Sequence, residues 1–177
     1  LKITPTSGKV IANADSLARV VNDVEGVRCA IPTIEEQAFA IFNNQQKPVN
    51  IKAVAPQYAQ VYEIDSTIID GEFLLCDSNA SYVTLSVGTA IALQARPSSY
   101  GYVGIYVPTR MGNINVANPM AAFCADSLAI AAVFQVNQPE YDADRVIMPL
   151  ENARALLEYT TEASAIDLSI NDNAKVD

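Results

Sequence analysis

Two groups of carboxylates are the residues of this chain whose types and spacing could do chemistry: the neighbours Glu35 and Glu36, and the cluster Glu140, Asp142 and Asp144. Paired acids can share the proton transfers of a glycosidase-like reaction, and clustered acids can assist one through a metal ion. The rest of the usual machinery is missing from the sequence. There is no histidine, which removes the commonest general base, the Ser-His triad and most catalytic zinc sites. No P-loop, dinucleotide fingerprint, zincin helix or nucleophile elbow is present. Cys29, Cys76 and Cys124 are spaced too widely for a zinc site or a disulfide framework and read as buried small hydrophobes. Adjacent acids on short loops are more often solvated surface than catalysts. The expectation is a chain with no catalytic residue, no metal and no cofactor. A carboxylate enzyme on an unrelated α+β fold is the competing reading, and it requires a cleft lined by several acids.

A different kind of chemistry, contact with another protein, is suggested by residues 108–126, PTRMGNINVANPMAAFCAD. This stretch is rich in Asn, Gly and Pro and lies between two strand-like segments, GYVGIYV (101–107) and SLAIAAVFQV (127–136). Connections beyond about 12–15 residues are uncommon in compact domains and are usually functional or disordered. A solvated linker would be polar, whereas this one carries Met111, Ile114, Val116, Met120 and Phe123. The expectation is a projecting hairpin loop that offers apolar surface to a partner; the alternative is that these side chains tuck into the parent domain.

Composition narrows the partners. Half the residues are hydrophobic and the net charge is −9, from 11 Lys and Arg against 20 Asp and Glu, so the chain can bury a core but has little positive charge to offer. Arg19, Arg28, Arg96, Arg110, Arg145 and Arg154 are scattered, which argues against nucleic acid and anionic lipid surfaces, since both need clustered cations. No apolar run is long enough to span a bilayer, and the first residues, LKITPTSGKVI, show neither Met nor a signal-peptide pattern. The segment reads as cut from something longer.

The elements that must position the loop follow from periodicity and turn residues. Leu1–Ile3 and Val10–Ile11 are β-like. A helix capped by Asn13 or Asp15 follows, with Leu17, Val20, Val21 and Val24 expected on its core face and Gly26 ending it. VRCAI (27–31) opens a strand, and residues 35–55 read as a long hairpin turning at 43–47, with Pro48 at an edge or a strand start. Asp70–Gly71 marks a turn. YVTLSV runs into a short helix near Gly88–Leu93, poorly made and so held by packing. RVIMP (145–149), LENARALL (150–157) and SAIDLSI (164–170) give strand, helix and strand. A βαβ unit at each end of the chain predicts an α+β fold with a ferredoxin-like split βαβ layer, interrupted by an inserted β-rich subdomain containing one small helix.

In this order the segments resemble the periplasmic domains of FtsX/MacB-type ABC transporter permeases, most of all the lipoprotein-releasing LolC/LolE branch. VEGVRCAIPTIEEQAF, VNIKAVAPQYAQVYEI, IIDGEFLL, SYVTLSVGTAIAL, GYVGIYVP and VFQVNQPEYDADRVIMPLENARALL are similar to six of that family's segments across nearly the whole chain. Two departures are Ala55 in place of the Gly before Pro56, and Ser99–Tyr100–Gly101 in place of Gly-Asp. The resemblance implies a Porter-like subdomain from residues 1–55 and 137–177, and a Sabre-like insert over 56–136 carrying a hook-like loop at 108–126. It implies transmembrane helices beyond both ends, a place on the periplasmic side of the bacterial inner membrane, an ATPase subunit on the cytoplasmic side and a permease dimer. Its hook docks a periplasmic carrier protein, LolA, during lipoprotein release, which makes Arg110, Met111, Ile114, Val116, Pro119 and Met120 the expected contact residues. The alternative within the same fold is a MacB-like or FtsX-like domain that engages an efflux adaptor or a cell-wall hydrolase.

Overall fold

The computed structural model describes residues 1–109 and 122–171. In chain order its elements are β1 (Lys2–Ile3), α1 (Ala14–Asn22), β2 (Val27–Phe42), β3 (Gln45–Val54), α2 (Tyr58–Tyr62), a 3-10 turn (Ile64–Thr67), β4 (Ile68–Gly71), β5 (Tyr82–Ser86), α3 (Val87–Leu93), β6 (Val103–Pro108), β7 (Phe123–Phe134), α4 (Pro139–Asp144), β8 (Arg145–Pro149), α5 (Leu150–Leu157) and β9 (Ala165–Ile170). This is the α+β fold expected, with a β-rich middle and a small helix inside it.

The two ends of the chain build one layer. β9 pairs antiparallel with the first half of β2, β1 pairs with β9, and β3 pairs antiparallel with the second half of β2 and parallel with β8. It follows that β8 and β9 run in the same direction on either side of the β2–β3 hairpin, joined through α5, which is a split βαβ arrangement. The hairpin turns on Asn43 and Asn44, both with positive φ, 45° and 64°, as a two-residue turn matched to strand twist requires. Pro48 lies before the β8 ladder, which starts at Asn50, so its missing N–H costs no bond there.

The middle of the chain closes onto this layer. β5 pairs with β8 and β7, β7 with β6, and β6 with β2 at Phe39–Ile41. Following these pairings, β2, β3, β8, β5, β7 and β6 form a closed ring, which leaves those strands no bare edge where they meet. Alternate side chains point inward and form the main core: Ala40 and Phe42 from β2, Ile51 from β3, Leu85 from β5, Ile105 from β6, Leu128 from β7 and Met148 from β8 are all buried. Helices α3 and α5 add Leu93, Leu150 and Leu156 to the same cluster. A second cluster, Val54, Ile64, Leu75, Phe134 and Ile147, packs where residues 58–75 cross β8 and the end of β7.

Gly88 explains how the short α3 holds. A Cβ at that position would sit 2.6 Å from the Ala143 carbonyl oxygen and 2.7 Å from that of Asp142, so glycine allows α3 to press directly on α4. Packing substitutes for propensity, as the sequence suggests.

Two expectations need correction. In α1 the buried residues are Ala14 and Ala18, while Leu17, Val20 and Val24 are 37%, 64% and 53% exposed; of the four expected core residues only Val21 packs inward, against Ala18, Ala30 and Ile166. The small alanines let α1 lie close to β2 and β9, and that approach selects the face. Asn13 stands at the cap position, but at φ 52° and with no side-chain cap bond. None of the cysteines is fully buried: Cys29 and Cys124 are half-buried and Cys76 is exposed.

Candidate partner-binding site

Every one of the expected contact residues, Arg110, Met111, Ile114, Val116, Pro119 and Met120, lies outside the described residues. What the structure does give is the root from which their segment leaves. β6 and β7 are in register from Val103↔Leu128 to Pro108↔Phe123, and the ladder extends one step further: the Thr109 N–H and hydroxyl both donate to the Ala122 carbonyl, at 2.8 and 3.0 Å. The loop expected over 108–126 is corrected at both ends: Pro108 belongs to β6 and Phe123–Asp126 to β7, so residues 110–121 start and finish at a closed antiparallel pair.

The root is apolar. Phe39 on β2 meets Phe123 edge to face, with ring centroids 6.3 Å apart, and remains 41% exposed. Beside it a shallow groove is lined by Ala38, Pro48, Val49 and Pro108, with Asn50 and Asp144 at its rim. Phe39 was not singled out from sequence. Its outward position in an alternating strand beside a partner strand from the loop's own hairpin is the signal that could have found it.

Four of the five carboxylates that could have done chemistry, Glu35, Glu36, Asp142 and Asp144, have partners within the fold. Glu35 contacts Lys2 at 2.8 Å and Lys52 at 3.5 Å, and Lys52 also pairs with Asp167 at 2.7 Å. Burial alone would raise the Glu35 pKa, but the Lys2 hydrogen bond and the charges of Lys52, Lys2 and Arg145 outweigh it and hold the carboxyl below its usual range. For Lys52, burial works against the ammonium, yet the Tyr58 oxygen, Asp167 and Glu35 prevail and raise its pKa. Asp142 accepts the N–H groups of Val136 and Gln138, at 2.8 and 3.1 Å, fastening the start of α4. Asp144 accepts from Asn50 Nδ2 at 2.9 Å, and Glu36 from the Gln37 N–H at 3.2 Å. Among the described residues no group of three or more metal-ligating side chains converges. Arg154, buried in α5, donates to Asp15 at 2.7 Å, to Glu151 at 3.2 Å and to the Glu162 carbonyl at 3.4 Å, tying α1 to α5.

The architecture is shared, as a fold, with solved domains that include an extracellular transporter domain and a periplasmic region. In particular, the chain is similar to the extracellular domain of the ABC-type transporter YknZ from Gram-positive bacteria, at 12% identity and a TM-score of 0.65, over 98% of this chain and 85% of that one. It is likewise similar to the periplasmic region of MacB from Actinobacillus actinomycetemcomitans, at 13% identity and a TM-score of 0.60, over 92% of this chain and 66% of that one. A third solved domain, from Porphyromonas gingivalis, gives 13% identity and a TM-score of 0.58 over 98% and 75%. At these identities the likeness is one of fold. No protein-family model matches the sequence, and no curated protein matches it. Among the described residues no helix is long and apolar enough to cross a membrane.

Proposed function

We propose that this chain is a non-catalytic extracytoplasmic domain of an ABC transporter permease, which docks a periplasmic protein through residues 110–121 while a cytoplasmic ATPase subunit drives the membrane part. The single observation that carries the reading is the closed Thr109–Ala122 pair. It delivers an apolar, Asn- and Pro-rich segment from a closed strand ring, and its root lies next to an exposed Phe39. Arg110 would read polar groups of the partner, and Met111, Ile114, Val116, Pro119 and Met120 would fill an apolar groove on it. The engagement of Glu35 in ion pairs and of Asp142 at the start of α4 supports a role in binding rather than catalysis.

Residues 1–55 with 137–177 form the Porter-like unit in this reading, and 56–136 the Sabre-like insert. Support comes from the pairing of β2 and β3 with β9 and β8. The insert joins that unit through β6 on β2 and β5 on β8. The parent protein would sit in the bacterial inner membrane as a permease dimer with this domain on the periplasmic side.

The length and apolar content of the loop favour the lipoprotein-releasing branch, with the carrier LolA as partner. The fold likeness to the MacB periplasmic region favours a second reading, a MacB-like or FtsX-like domain that engages an efflux adaptor or a cell-wall hydrolase. A pull-down of the carrier by the chain tests the first. Replacing residues 110–120 by a short Gly-Ser turn is expected to abolish capture while the circular dichroism spectrum and melting temperature are retained. Unchanged capture would reject the loop as the docking site, and capture of an adaptor or hydrolase in its place would support the second reading.

A further inference from the structure

The outer wall of the strand ring carries a face without charge. Register sets β3, β2, β6 and β7 side by side, so that Pro48, Phe39, Tyr106 and Ala125 form one row across the sheet, and Gln46, Ile41, Gly104 and Ser127 the next. In a third row Gln37 lies beside Asn50, and Pro108 beside Phe123. The alternate positions along the same strands, Ala40, Val49, Ile105 and Leu128 among them, are in the core, so these rows point to solvent. Every residue in them is exposed or half-buried.

Although 18% of the chain is charged, none of these rows contains Asp, Glu, Lys or Arg, whereas a soluble surface is typically about 25–35% charged. The polar groups present are of one kind: the amides of Gln37, Gln46 and Asn50 and the hydroxyls of Ser127 and Tyr106 can each both donate and accept a hydrogen bond. Asp144, the carboxylate at the margin, accepts from the Asn50 amide at 2.9 Å. Tyr106 lies down along β6 rather than standing off it. A Cβ at Gly104 would sit 2.8 Å from its ring carbon Cε2 and 3.4 Å from its hydroxyl oxygen, so glycine gives the ring its place. Across the strand pair from Tyr106 is Phe39, 41% exposed. The two rings make a low aromatic strip bordered by amides and hydroxyls.

We propose that this face binds a neutral oligosaccharide, the C–H face of a sugar ring resting on Tyr106 and Phe39 and its hydroxyls meeting Gln37, Gln46 and Ser127. A pyranose with equatorial hydroxyls has the matching chemistry, an apolar C–H face ringed by groups that both donate and accept. Charge selects the same ligand. The chain carries −9, so an anionic polymer is repelled, and a basic partner is drawn to the acidic surfaces elsewhere. Protein hot spots are anchors that fill desolvated pockets, and a ring laid over a glycine makes a platform instead. The proposal does not use residues 110–121 and stands apart from the docking reading.

The test is a nuclear magnetic resonance titration of the chain, isotope-labelled at its Phe and Tyr rings, with chitotetraose and cellotetraose. The Phe39 and Tyr106 resonances are assigned by their loss in Phe39→Ala and Tyr106→Ala. One or both sugars are expected to shift these resonances saturably, and each substitution to weaken binding about tenfold. Gly104→Ala, which displaces the Tyr106 ring, is expected to weaken it too, while Tyr141→Ala, at a ring 44% exposed on α4, leaves it unchanged. Tighter binding of a tetrasaccharide than of its disaccharide identifies a polymer strand as the source, and equal binding identifies a free small sugar. Replacing residues 110–120 by the Gly-Ser turn is expected to leave sugar binding in place, so its failure and that of the docking reading are told apart. Resonances that stay put at millimolar sugar would overturn the proposal, as would unchanged affinity in both ring variants or shifts produced only by a protein docked on the loop. Should Tyr106→Ala fail to fold, the unmodified chain and Phe39→Ala decide alone.

Discussion

Arg154 and Arg145 sit at either end of the same β8–α5 segment and live in opposite circumstances. Arg154 is 6% exposed and has three acceptors drawn from α1, α5 and the turn before β9. Arg145 stacks on one tyrosine and keeps a buried N–H without an acceptor. The first is a clamp that the fold has completed. The second is held by a ring and by the nearby charge of Glu35 rather than by hydrogen bonds, and the difference shows that an arginine's partners, more than its burial, decide how much of the fold depends on it.

That contrast can be broken by substitution. Arg154→Met removes the cation from the clamp and strands Asp15, so urea denaturation should show a loss of about 2–3 kcal/mol, reduced from a fully buried pair because Asp15 and Glu151 reach solvent. Arg145→Met removes no protein acceptor's partner and should change stability by less than about 1 kcal/mol in either direction. A cost at Arg145 equal to that at Arg154 would erase the distinction. Between them in size, Gly88→Ala should cost about 1–2 kcal/mol, because the added methyl meets the α4 backbone. It should also move the Tyr141 and Arg145 resonances, since α4 and the start of β8 carry both.

The smallest effect concerns pH. Glu35 has a folded pKa below its ordinary 4.5, so its contribution is fully present above 4.5 and is lost as pH falls through the lower folded value. Glu35→Gln should therefore flatten the acid limb of stability against pH by a few tenths of a kcal/mol, about the scale of a half-exposed pair. Asp77 and Glu162, also held low by hydrogen bonds to nearby N–H groups, would keep part of the slope. An unchanged limb would show that Glu35 is not coupled to Lys2 and Lys52.

Much of the fold is legible in the residues. Asn43–Asn44 announces the hairpin, RVIMP-LENARALL-SAIDLSI spells the last strand, helix and strand, and YVTLSV-GTAIAL places α3. Periodicity and turn chemistry are local, and those elements are locally determined. The short helices α2 and α4 were not legible, because five or six residues contain too little of a 3.6-residue repeat to separate from a strand or a loop. Their existence depends on packing across β8, and with them went the stacked Tyr58–Tyr62 pair and the Arg145–Tyr141 contact. The α1 face was misread for a related reason: Leu17, Val20 and Val24 satisfy the pattern, but closeness of approach to β9 favours Ala14 and Ala18. The closure of the strand ring, which needs β6 to find β2 across 63–67 residues, has no local signature at all. The loop residues Arg110 to Met120 were readable as a segment, by length and composition, while the contact of Phe39 with Phe123 at the strand root depends on the register of three strands.

The most direct test of the docking claim is photocrosslinking in intact cells, with a photoreactive residue at Val116 or, as a reference, at Tyr100. Tyr100 is fully exposed and precedes the opposite end of β6 from the loop root. The account predicts a crosslinked extracytoplasmic protein from position 116 and none from position 100. Equal crosslinking from both positions, or a partner captured from position 100 alone, would contradict it.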